Sequence, residues 1–252
     1  ELTEAETQLR RHGDAPHLLV VDDDSINREV AVQLLDAVGL RAETAVDGLD
    51  ALDKVRGSHF DLVFMDMQMP HLDGVEATRL IREQAEQRNL PVIAMTANAF
   101  SDDRARCLAA GMVDFITKPV DPATLYAVLL KWLPPPAAAG IVVPPHPHPL
   151  PANTAPSAEA ALIARLAPHP EVDTRLALAN LGGRRALYVR LLKQFLSTNA
   201  DAMTRFRAHL AAGDSASARL VAHSLKGSSA TLGMPALQCC AAALEAALID
   251  GA

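Results

Sequence analysis

The chain has 252 residues, 50% of them apolar, 4% aromatic, and a formal net charge of −7. That length predicts two cores of ordinary size rather than one, and no apolar run approaches the roughly 18 residues that would announce a membrane helix. Cys107, Cys239 and Cys240 form no C-x-x-C pair and have no His at zinc spacing, which excludes a structural metal and a disulfide framework and predicts a soluble, cytoplasmic setting.

In chain order, the polar, helix-like opening Glu1–Arg11 starts without Met and reads as a piece of a longer protein, with residues 1–15 a linker or helical remnant. Short apolar runs then alternate with helical periods, the pattern of a doubly wound parallel sheet. The predicted strands are His17–Asp22, Arg41–Ala45, Phe60–Met65, Pro91–Met95 and Val113–Ile116. The predicted helices are Ser25–Val38, Gly48–Arg56, Gly74–Glu86, Asp102–Ala109 and Pro122–Trp132, with Asp47, Asp73, Ser101 and Asp121 as N-caps. Residues 16–133 thus read as one α/β domain.

Residues 134–156 hold nine of the 17 prolines, which predicts a semi-rigid linker; His146 and His148 are spacers within it. Residues 157–252 show only helical periods and read as an all-α bundle. Its apolar stripe runs Tyr188, Leu191, Leu192, Phe195, Met203, Phe206, Leu210, followed by helices at Ser215–Leu232 and Pro235–Leu248. The first domain is acidic and the second mildly basic. Arg184-Arg185 is a small patch without interleaved aromatics, so no nucleic-acid contact is expected.

Ligands of an open parallel sheet bind beyond the carboxyl ends of its strands. There lie Asp22, Asp23 and Asp24 after the first strand, Asp66 after the third, Thr96 after the fourth and Lys118 after the fifth. Carboxylates so gathered repel one another unless a cation neutralises them, and an all-oxygen ligand set suits Mg²⁺. One aspartate is then free to attack phosphorus, while Lys118 and the Thr96 hydroxyl share the phosphoryl oxygens.

In the second domain His223 sits about 200° round its helix from Val221 and Leu225 and is expected to face away from the core. Lys226 lies on the same face to hold a phosphoryl oxygen, and Gly227 and Ala230 keep the surface low for close approach of a partner.

The blocks Val20-Val21-Asp22-Asp23-Asp24, Phe64-Met65-Asp66-Met67-Gln68-Met69-Pro70, Ala94-Met95-Thr96-Ala97 and Thr117-Lys118-Pro119 resemble a response-regulator receiver domain of the kind attached to hybrid histidine kinases. The resemblance implies Asp66 as phosphoacceptor, Asp23 as a direct Mg²⁺ ligand, Asp22 as a ligand through water and the Gln68 backbone carbonyl as a further ligand. It also implies Thr96 and Phe115 as a switch pair, with Asp24 standing where many such receivers have Asn.

Ala222-His223-Ser224-Leu225-Lys226-Gly227-Ser228-Ser229-Ala230 resembles the signature of histidine phosphotransfer domains, which implies phosphorylation on His223 and a further helix after the one starting at Pro235. Together the two resemblances imply a phosphorelay fed by an upstream histidine kinase domain and emptied into the receiver of a separate response regulator. A phosphate-independent scaffold is the alternative of another class. The Asp22-x-Asp24 pair is also similar to the opening of haloacid-dehalogenase-type phosphatases, with Asp22 as nucleophile and Asp24 as acid.

Overall fold

A computed structural model describes residues 3–12, 16–97, 101–134 and 158–250; the expected linker, His146 and His148 included, lies outside them except for Pro134. The chain divides into two compact units, Glu1–Pro145 and His146–Ala252.

The first unit is built on five strands, β1 (His17–Val21), β2 (Arg41–Ala45), β3 (Leu62–Asp66), β4 (Val92–Thr96) and β5 (Asp114–Thr117). All pair in parallel in the order β2-β1-β3-β4-β5. Strands β3 and β4 are buried throughout, as expected for near-continuous apolar runs covered on both faces, whereas edge strand β2 alternates towards solvent. The strands fall within two residues of their expected bounds.

The crossover helices are α2 (Ser25–Ala37), α3 (Gly48–Gly57), α4 (Gly74–Glu83), α5 (Ser101–Ala109) and α6 (Pro122–Trp132), preceded by a short α1 (Glu4–Leu9). Asp47, Asp73 and Asp121 cap their helices through backbone amides as expected. Ser101 instead is the first helical residue of α5. Helix α4 also stops three residues short of expectation, because Gln84 adopts extended backbone (φ −77°, ψ 118°) before a 3-10 turn at Ala85–Gln87. That turn lets Gln87 donate to Val55 O and carries Leu90 into the core. Within residues 1–15, α1 packs on the first unit, and Leu9 has no exposed surface.

The second unit is all-helical among the described residues: α7 (Ala158–Leu166), α8 (Thr174–Asn180), α9 (Arg185–Thr198), α10 (Ala202–Ala211), α11 (Ser215–Thr231) and α12 (Pro235–Asp250). Tyr188, Leu191, Phe195 and Phe206 of the predicted stripe are buried, but Met203 and Leu210 are 44% and 42% exposed. Helix α10 therefore turns a narrower face inward than its apolar content implied. Gly233 ends α11 at φ 69°, where a Cβ would stand 2.3 Å from Asp173 O. That close approach seats α8 against the α11–α12 turn through Asp173 N donating to Gly233 O at 2.7 Å.

One glycine bears directly on the sheet edge. A Cβ on Gly74 would lie 1.9 Å from Asp66 O, so only glycine lets α4 start against the end of β3. Gly74→Ala should cost the first unit about 3 kcal/mol of stability. Urea unfolding followed by the fluorescence of Trp132, the chain's single tryptophan, measures this.

Candidate functional site

Because all five strands are parallel, the loops at their carboxyl ends bring Asp22, Asp23, Asp66, Thr96 and Lys118 to one edge. Lys118 Nζ lies 2.6 Å from Asp22 Oδ2 and 2.6 Å from Asp66 Oδ2. Asp22 is 0% and Asp66 1% exposed, so three charges are held together out of water. Burial by itself lowers the pKa of Lys118, but the two carboxylates outweigh it and hold the ammonium above its ordinary value. A buried lysine without them would lose its proton; here it stays charged.

One oxygen from each of Asp22, Asp23 and Asp66 lies within 4.8 Å of the others. Three carboxylates against one ammonium leave the pocket net negative, and the donor set is all oxygen, which fits a hard divalent cation. The backbone supports the same atoms: Gln68 N donates to Asp66 Oδ1 at 3.3 Å and Asp24 N to Asp22 Oδ1 at 2.9 Å. Lys118 N donates to Thr96 O at 2.7 Å, tying the β4 and β5 ends together, and the Lys118–Pro119 peptide is cis.

Asp24 stands apart from this group. Its Oδ1 accepts from the amides of Ile26 and Asn27 as the N-cap of α2, and burial together with Asp22 raises its pKa. The carboxylate that a haloacid-dehalogenase reading needs as acid is thus committed to a helix cap. Thr96 is buried, while Phe115 is half-buried against the core with the Arg104 guanidinium 5.2 Å from its ring centroid.

The second constellation departs from expectation. His223 is 6% exposed rather than facing outward, and Gly227 and Ala230 are buried with it. Helix α12 packs along α11, and Ser228 and Ser229 on α11 and Ala241 on α12 have almost no exposed surface. Such packing brings the backbones close enough for Glu245, itself buried, to reach across. Its Oε1 lies 2.7 Å from His223 Nδ1, and its Oε2 accepts from Lys226 Nζ at 2.5 Å. Burial works to raise the Glu245 pKa, but these two partners pull it down to about 2. The Nδ1–H donates to the carboxylate, which leaves Nε2 as the basic nitrogen of the ring.

Glu245 was missed in the sequence. Its signal was there: it is the one charged residue between Pro235 and Ile249, in a helix otherwise made of Ala, Leu, Cys and Gln. A buried carboxylate requires a cationic partner, but the composition of this helix does not say that residue 245 is buried.

Residues 18–130 match the response regulator receiver domain family, and residues 190–252 match the Hpt domain family. The two segments belong to those families. Over 234 residues the chain is 28% identical to the signal transduction histidine-protein kinase BarA of Shigella flexneri, covering 93% of this chain and 24% of that protein. Over 121 residues it is 40% identical to the sensor protein GacS of Pseudomonas syringae pv. syringae, covering 47% of this chain and 13% of that protein.

Among solved structures, the receiver domain of a sensor histidine kinase from Pseudomonas aeruginosa PAO1, described with a magnesium ion in its active-site cleft, is 39% identical. The match covers 46% of this chain and 96% of that one, with a TM-score of 0.44. The chain spans at most about a quarter of the length of these curated relatives. The chain thus joins a receiver segment to an Hpt segment, and its relatives include a signal transduction histidine-protein kinase and a sensor protein.

The Hpt network has a pH signature. Glu245 is held at about 2 against an ordinary 4.5, so it stabilises the fold fully above pH 4.5 and progressively less as pH falls through about 2. Glu245→Gln should remove that acid-side loss from amide-exchange protection of α11 and α12, measured between those pH values, while lowering protection at neutral pH.

Proposed function

We propose that Asp66 accepts a phosphoryl group from a kinase histidine, and that His223 exchanges it with Asp66 and passes it to the receiver of a separate response regulator. The observation that carries this reading is the Asp66 carboxylate, buried beside Lys118 at 2.6 Å and grouped with two further carboxylates at the sheet edge.

The Asp66 oxygen attacks phosphorus, an O–P bond forms, the N–P bond of the donor phosphohistidine breaks and the donor nitrogen keeps the electron pair. In the second step the Nε2 lone pair of His223 attacks the aspartyl phosphate, and Asp66 leaves as carboxylate. Glu245 accepts from Nδ1–H, orients the ring and stabilises positive charge as it develops there. Lys118 neutralises one phosphoryl oxygen at the receiver, the Thr96 hydroxyl donates to another, and Lys226 serves the same purpose beside His223.

Mg²⁺, held by Asp22, Asp23, Asp66 and the Gln68 carbonyl, supplies neutralisation of the remaining phosphoryl charge when bound. Thr96 and Phe115 act as the switch pair. We further propose 16–133 as the receiver, 134–156 as linker and 157–252 as the Hpt domain of a cytoplasmic region of a hybrid sensor kinase, without contact to nucleic acid. Among the described residues no helix is long and apolar enough to cross a membrane.

Incubation with Mg²⁺ and acetyl phosphate, followed by separation of acid-labile and base-labile label, tests the order. Asp66→Asn should abolish both labels, His223→Gln should keep the aspartyl label alone, and Lys118→Ala should slow labelling about 100-fold. Full labelling of His223 in Asp66→Asn would contradict the proposed route, and absence of label from the unaltered chain would favour the scaffold.

A further inference from the structure

We infer that residues Thr3–His12 form a clasp that ties the chain entering the receiver to the root of the linker leaving it. Helix α1 is only six residues long, and a helix of that length has no stability of its own in water. Two things hold it. A capping box closes its first turn, with Glu6 N donating to Thr3 Oγ1 at 3.3 Å and Thr3 N to Glu6 Oε2 at 2.6 Å. At its other end Leu9, fully buried, anchors it where α1 packs on α6.

The 3-10 turn Arg10–His12 then directs two side chains onto carbonyl oxygens near helix C-termini. Arg10 Nη2 donates to Ala37 O, at the last residue of α2, at 2.9 Å. His12 Nε2 lies 2.8 Å from Pro134 O, two residues past the end of α6, and its Nδ1 lies 3.3 Å from Leu9 O. The Ala37 carbonyl, at a helix C-terminus, lacks an intrahelical donor and carries the negative end of the dipole, so Arg10 is suited to it.

In a parallel sheet the strands end at the Asp66 edge and the crossover helices run back, so both carbonyls lie at the opposite edge. Entry and exit of the receiver are therefore fastened together at the pole away from the phosphoryl chemistry. Release of the clasp frees the last turn of α6, closed by Leu133 N donating to Leu129 O at 2.9 Å, and shifts the point from which the linker departs. No residue of the acidic mouth takes part, so the inference stands apart from the phosphoryl route.

Hydrogen exchange on the full chain, unaltered and as Leu9→Ala and His12→Ala, tests it. Leu9→Ala should lower the receiver's unfolding midpoint by roughly 10 °C and speed exchange at the C-terminal turns of both α2 and α6. His12→Ala, a partly exposed site that should fold normally, should speed exchange about 5-fold at Leu129–Leu133 while leaving Val63–Asp66 unchanged. Unaltered protection of Leu129–Leu133 in His12→Ala would overturn the clasp. So would a loss of protection spread evenly over the sheet, because His12 would then be a general stability residue.

Discussion

An ammonium 2.6 Å from each of two carboxylates, with all three groups buried, is stable only while every charge is present. Removing Lys118 would leave two like charges facing each other out of water, and removing either aspartate would leave the ammonium half-compensated; breaking a buried pair costs roughly 3–5 kcal/mol. The rest of the first unit serves that constraint. β1, β3 and β5 must end in register at one edge, which the parallel pairing provides. Gly74 and the loop bonds from Gln68 and Asp24 then fix the two carboxylates that Lys118 bridges.

The Hpt domain meets the same problem with opposite signs. There one buried carboxylate, Glu245, faces an imidazole and an ammonium, and its two oxygens are divided between them. Small residues on α11 and α12 are the structural condition, since larger ones would hold the helices too far apart for a glutamate to span. Glycine at 227 in mid-helix, unfavourable by roughly 1 kcal/mol relative to alanine, is buried on α11 with His223.

The fold and the first constellation were legible because they rest on local signals. Strand period, aspartate caps and the positions of acids after strands are all readable within a few residues, and the parallel sheet then brings the acids together by topology. His223 was misjudged because its environment depends on a neighbour 22 residues later. Helical periodicity around Val221 and Leu225 defines one inward face, but α11 has two, towards α10 and towards α12. Leu9 escaped for a related reason: nothing in a six-residue amphipathic stretch says which later helix of the same unit it will meet.

The charge balance of the two sites differs in a way that bears on phosphoryl exchange. At the receiver edge Asp22, Asp23 and Asp66 outnumber Lys118, so an arriving phosphoryl group adds negative charge to a pocket already short of cations, which is why that donor set calls for a divalent ion. At His223 the single carboxylate is divided between Lys226 and the ring Nδ1. In the proposed route a phosphoryl group on Nε2 competes with Glu245 for Lys226, while Glu245 keeps its bond to Nδ1. Each phosphoryl group taken up in the proposed route adds negative charge beside Glu245, and Lys226 is the ammonium placed to offset it.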